Sequence, residues 1–235
     1  MGRVVTFADL PYREAAGVKR AAITGPEMKE MAAEVIRLAP RATLAEAVPA
    51  GSDRYLFTLS GSVTASAGGA RHPVVEQGFV TVQEGTRFAV ENSSGSEATL
   101  ISVLAPPSGG VRPGFTGGLA VAARATTPVH DVREELKRRI YFVGKEAVSS
   151  ERAHAMIVEY EKDTVTNMHM HPNADSMFVF LSGKTRFTVN GQDVVVGPGQ
   201  ATYFPAGDRH GLRTAEGEVS FLEFHIPDGY ATVRG

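Results

Sequence analysis

Two nine-residue segments constrain this chain more than anything else in it. DRYLFTLSG (Asp53–Gly61) and DSMFVFLSG (Asp175–Gly183) align without a gap, 122 residues apart (175 minus 53). Each is followed by an alternating strand, a small turn, a second strand and a Gly-led third: SVTASAGGARHPVVEQGFVTVQEG in one copy, KTRFTVNGQDVVVGPGQATYFPAG in the other. A period of about 120 residues is too long for a solenoid and suits a duplicated domain. Gly68-Gly69 and Asn190-Gly191 fall at matching places, and both dipeptides favour the two-residue type I′ hairpin turn. Short, regularly punctuated β segments of this kind predict a sandwich or barrel in each half.

The repeat also overrides local propensity. PEMKEMAAEVIRLAP (Pro26–Pro40) has a helical composition, with Pro26 suited to a first turn. Its latter part corresponds, however, to the strand-like AMIVEYEKDT of the second copy, so Ala33–Leu38 is expected to be extended. PPSGGVRPGFTGG (Pro106–Gly118) reads as loop. In HDVREELKRRI the acids precede the bases, as helix polarity prefers. This predicts a short linking helix over Asp131–Arg139 with its charges on a solvated face. The expected division is an N-terminal barrel over 1–110, a linker with the short helix over 111–145 and a C-terminal barrel over 146–235.

Composition excludes several classes of function. A net charge of −2 with acids and bases interspersed offers no basic patch for nucleic acid. The chain has no cysteine, which rules out disulfides, thiolate nucleophiles and Fe–S clusters and fits a reducing, cytoplasmic setting. No apolar run approaches the roughly 20 residues of a membrane span.

Chemistry concentrates in three histidines of the second half. In NMHMHPNADSMFVFLSG, His169 and His171 alternate, and on a strand residues two apart share a face. His210 closes GPGQATYFPAGDRH and can add a third imidazole from a neighbouring strand. Neutral imidazole is a common ligand of divalent transition metals. His72, His130 and His154 lack such a setting and are not expected to be ligands. In the later strand FLEFHIP, Glu223 and His225 share one face. Facing the lumen they would form a general acid/base pair; facing outwards, a solvated pair at a strand edge. Tyr203, Asn167 and Arg209 are placed near the mouth as further candidates, Tyr203 for catalysis.

On these residues the second half resembles the cupin family, and the whole chain a bicupin. The family motif G(X)5HXH(X)3-4E(X)6G is met by His169, His171 and Gly183, with Asp163 at the leading glycine. The motif G(X)5PXG(X)2H(X)3N is met by Gly199, Pro205, Gly207 and His210, with Thr214 at the asparagine. The glutamate position falls on Ser176. The alternative spacing would use Asp175, which makes Asp175 a candidate fourth ligand. The expected fold is therefore all-β: two tandem double-stranded β-helix, or jelly-roll, barrels joined by the short helical linker. By the repeat, the first barrel has Ala47, Pro49, Arg54 and Phe88 where the second has His169, His171, Ser176 and His210, and is expected to hold no metal. The asymmetry is similar in architecture to the ureidoglycine aminohydrolases, although the site motif departs from theirs.

The resemblance implies one divalent transition metal, Fe(II) first, with Mn(II), Ni(II) or Zn(II) as alternatives. Three neutral imidazoles would leave the ion its full charge and suit an anionic or chelating small molecule, with Fe(II)-dependent dioxygenation as the leading reaction. Mn(II)-dependent hydrolysis, deamination or isomerisation is the second reading, and a non-catalytic binding protein the third. A homodimer is expected, with no nucleic-acid or membrane partner.

Overall fold

The computed structural model describes residues 1–144, 147–214 and 216–235. The repeat folds into two β-barrels, each made of a seven-stranded sheet against a smaller one. The first large sheet runs Arg13–Ala15, Val18–Ala22, Ala32–Leu38, Ala98–Ala105, Asp53–Ser60, Gly78–Val82 and Leu119–Ala123. The second runs His130–Val132, Lys137–Val143, His154–Tyr160, Val219–Ile226, Asp175–Ser182, Gln200–Phe204 and Arg3–Thr6. Four strands close the first barrel and five the second. Ala32–Leu38 is a strand, as the repeat requires. Both hairpin dipeptides have positive φ at each residue (57° and 85°; 52° and 76°), the backbone of a type I′ turn.

The large sheets pack back to back, which explains why the repeated segments are nearly continuous apolar runs. Tyr55 and Phe57 of one copy and Met177 and Val179 of the other enter one core shared by both barrels. Leu56 points into the first barrel, and Phe178 and Phe180 into the second. At the centre of the shared core Phe79 stacks on Phe142 with ring centroids 4.7 Å apart. The barrels also exchange chain. Arg3–Thr6 pairs with Gln200–Phe204 of the second barrel, and Leu119–Ala123 pairs with Gly78–Val82 of the first.

The expected linking helix over Asp131–Arg139 is not there. Its residues form the strand His130–Val132, a single 3-10 turn Arg133–Glu135, a left-handed Leu136 (φ 55°) and the start of the strand Lys137–Val143. Strand pairing with His154–Tyr160 outweighs the helix-like charge order, because alternation buries Ile140 and Phe142 in the shared core. The same alternation sends Lys137, Arg139 and Tyr141 into the second barrel, so of the charges in this stretch Asp131, Arg133, Glu134, Glu135 and Arg138 are exposed while Lys137 and Arg139 are not on the solvated face.

The aspartate that opens each repeat ties one barrel to the other. Asp53 is fully buried; its Oδ1 accepts from Arg152 Nη1 at 3.0 Å, and its Oδ2 from Ser150 Oγ at 2.7 Å and the Phe115 N–H at 2.9 Å. Asp175 accepts from the Glu30 N–H at 2.7 Å and the Ala206 N–H at 3.0 Å. Glu30 and Arg152 are themselves one repeat apart (152 minus 30 is 122). The two aspartates are therefore equivalent anchors, Asp53 reaching the loop before His154–Tyr160 and Asp175 the loop before Ala32–Leu38.

Candidate metal centre

His169 lies on Val165–Met170, His171 just beyond it, and His210 opens His210–Arg213. His169 and His210 are direct antiparallel partners, and the register shifts between Thr166 and His169. That irregularity brings the chain close to Gly211, where an added Cβ would lie 3.0 Å from the Thr166 carbonyl oxygen and 3.1 Å from Met168 Sδ. The Pro205–Asp208 turn, with Gly207 at φ 86°, is tied to the same place by a 2.9 Å hydrogen bond from the Gly207 N–H to the His171 carbonyl.

The three rings converge. Their centroids are 4.4 to 5.4 Å apart, and one nitrogen from each lies within 4.8 Å of the other two. Each Nδ1 faces a backbone carbonyl: Asn167 for His169 at 2.9 Å, Ala231 for His171 at 2.9 Å and Asp208 for His210 at 3.2 Å. An Nδ1–H donated to each carbonyl leaves Nε2 with its lone pair free, the tautomer a metal ligand needs. Nε2 of His171 and of His210 is buried and has no hydrogen-bond partner. Burial together with the neighbouring imidazoles lowers the pKa of all three, that of His171 to about 4, so the rings are neutral at pH 7. Two orphaned buried nitrogens in a cluster of neutral donors fit a divalent metal, and among the described residues no other His, Asp or Glu joins the group.

Asp175 does not join it. Both its carboxylate oxygens are taken by the backbone N–H groups described above, and the chain turns it towards the shared core instead. Tyr203 is likewise displaced from the expected mouth. On Gln200–Phe204, Phe204 faces the barrel and stacks on His210 at 4.4 Å, so alternation puts Tyr203 in the shared core, where its hydroxyl donates to Glu27 at 2.7 Å. Ser176, at the family's glutamate position, is buried and bonded through Oγ to His225 Nδ1 at 2.9 Å. Asn167 and Arg209 are exposed.

Glu223 and His225 face inwards. They line, with His169 and His171, a cavity of about 360 Å³. His225 Nε2 meets Glu223 Oε1 at 2.5 Å, and its ring lies 4.4 Å from that of His171. Burial would raise the Glu223 pKa, but the imidazoles of His225, His154 and His171 outweigh it and hold the carboxyl at about 2, so it is ionised.

Other parts of the cavity were not foreseen. Asp228–Arg234 folds over the histidines: Tyr230 stacks on His225 at 4.0 Å, Ala231 orients His171, and Arg234 pairs with His169 across Val233–Arg234. Lys137 and Arg139 supply another wall, which reading 137–143 as an alternating strand would have revealed. At the corresponding place in the first barrel, Arg20 and Arg54 pair with Glu34 and Glu46.

Comparison with known proteins agrees with the fold. Residues 156–225 match the family described as the cupin domain. No curated protein sequence matches the chain. Among solved structures it is similar to the protein from Pseudomonas aeruginosa described as glyoxylate-induced (16% identity, 95% of this chain and 88% of that one, TM-score 0.78). It is also similar to Ylba from E. coli (13%, 96% and 90%, TM-score 0.79) and to oxalate decarboxylase from Lactobacillus farciminis (13%, 98% and 88%, TM-score 0.75). At these identities the likeness is one of fold.

Proposed function

Taking as premise that this chain is a cupin-superfamily protein with two tandem barrels, we propose that it is a metal-dependent enzyme acting on a small, anionic, oxygen-chelating metabolite. One observation carries the reading: three imidazoles, each with Nδ1 beside a backbone carbonyl, bring one nitrogen apiece within 4.8 Å of the other two, with no carboxylate in the group. His169, His171 and His210 would hold the ion. When bound, a divalent ion there would act as a Lewis acid on substrate oxygen and, as Fe(II), would supply a centre for dioxygenation.

The rest is the work of the protein's own groups. Glu223, ionised and buried beside His225, can hold the proton on His225 Nε2, while Ser176 Oγ–H donates to Nδ1. With both ring nitrogens of His225 engaged, proton exchange with the substrate falls to the Glu223 carboxylate. Tyr230, Met156 and Val158 give the cavity an apolar patch beside His225 and His171. The Glu223–His225 pair also supports the second reading, a Mn(II)-dependent hydrolase or isomerase whose chemistry is proton transfer alone.

Metal content of protein purified without added metal, followed by oxygen-uptake measurements on the Fe(II)-loaded chain with catechols and keto acids, tests the proposal. Oxygen consumption at one equivalent of iron supports dioxygenation. Turnover that persists without oxygen favours the second reading. A loaded protein that binds such molecules but never converts them would overturn the enzymatic reading.

A further inference from the structure

The cavity has a second end. Lys137 and Arg139 project into it from one strand face, and both pair with a single carboxylate, Glu135, at 3.2 and 2.9 Å. Arg234, the register partner of His169, lies on the same cavity wall as Glu135. Three cations thus face two acids: Glu135 on the rim, and Glu223, whose charge acts on Arg139 but whose Oε1 is taken by His225. The burial is inverted as well: the Lys137 and Arg139 side chains are 13% and 26% exposed, whereas Glu135 on the rim is 42% exposed. With Glu223 committed to His225, the cations on this wall outnumber the carboxylates left to pair with them, which favours a further anion there. Lys137 is further held with its ammonium 4.9 Å from the Tyr160 ring centroid, which fixes the charge at the cavity wall.

Resting on the functional reading above, we propose that this end is a carboxylate subsite. The substrate is then a small dicarboxylate: one end offers chelating oxygens at the three-histidine site, and the other is a carboxylate received by Lys137, Arg139 and Arg234. A planar guanidinium can grip a carboxylate through two parallel hydrogen bonds. Arg234, the most exposed of the three, adds charge at the entrance.

The test uses the full chain loaded with Ni(II), under nitrogen at low ionic strength, with binding followed by calorimetry. The probes are two matched pairs of keto acids: 2-oxoglutarate against 2-oxopentanoate, and 2-oxoadipate against 2-oxohexanoate. At least one dicarboxylate is expected to bind about tenfold more tightly than its monocarboxylate partner, the low end of what a charge-assisted hydrogen bond supplies. Arg139→Gln, and separately the exposed Arg234→Gln, should reduce that preference while leaving nickel stoichiometry and the affinity of the monocarboxylates unchanged. No preference in either pair, or a preference that survives both substitutions, overturns the subsite. Nickel stoichiometry is measured first, so failure to load overturns the functional reading itself and is distinguishable from a loaded chain without preference.

Discussion

Replacing Asp175 by Ala separates a structural anchor from a metal ligand. The substitution removes the acceptor of two backbone N–H groups, those of Glu30 and Ala206. Hydrogen bonds to a charged group contribute about 1.5–3 kcal/mol each, so losing both costs about 3–6 kcal/mol if nothing replaces them. Glu30 is half-buried and Ala206 is exposed, so water can recover part of the loss and the lower figure, about 3 kcal/mol, is expected. For a chain of this size each kcal/mol moves the melting temperature by about 2–4 °C, giving a drop of about 6–12 °C. Asp53→Ala should be worse. It removes the acceptor of buried Ser150 and leaves the Arg152 guanidinium, 4% exposed, without its buried partner, a loss of about 3–5 kcal/mol from the ion pair alone. Thermal melts and a competition titration for metal affinity measure both effects. The reasoning fails if Asp175→Ala melts like the unaltered chain, or if the folded variant loses about tenfold or more in metal affinity.

Glu223→Gln keeps the shape of the side chain but not its charge. It should lower turnover by about 10²- to 10⁴-fold with metal content intact, measured by steady-state kinetics beside metal analysis. In the metal-free chain the pKa values of His154, His169, His171 and His210 are lowered, that of His171 to about 4. The unfolded chain therefore binds more protons below pH 6.5, and stability present above that pH should fall as pH drops towards 4, as melts across pH 4–8 will show. A melting temperature that rises over this range on acidification contradicts the assignment. Phe142→Ala removes the ring stacked on Phe79 in the shared core and should cost about 3–5 kcal/mol in denaturant unfolding.

The sequence alone determined the duplication, the all-β class, the extended Ala33–Leu38 and the trio His169, His171 and His210. Those features are written locally. A gapless repeat, hairpin dipeptides with positive φ, and imidazoles two residues apart need no knowledge of distant partners. Only the tertiary structure decided which side of each strand meets which neighbour. Asp175 and Tyr203 stand beside the site in sequence but face the other barrel, because each large sheet has two apolar faces and alternation cannot say which of them is the lumen. Residues 131–139 carry the charge order of a helix, yet Lys137–Arg139 pair with His154–Tyr160 and Asp131–Val132 pair back onto them, which draws the stretch into a sheet. Arg3–Thr6 crosses to the second barrel, and Tyr230, Ala231 and Arg234 reach the three-histidine site, Ala231 lying 60 positions beyond His171 (231 minus 171). Such contacts are set by long-range strand register, which depends on the energy of the whole packed assembly rather than on any local stretch of residues.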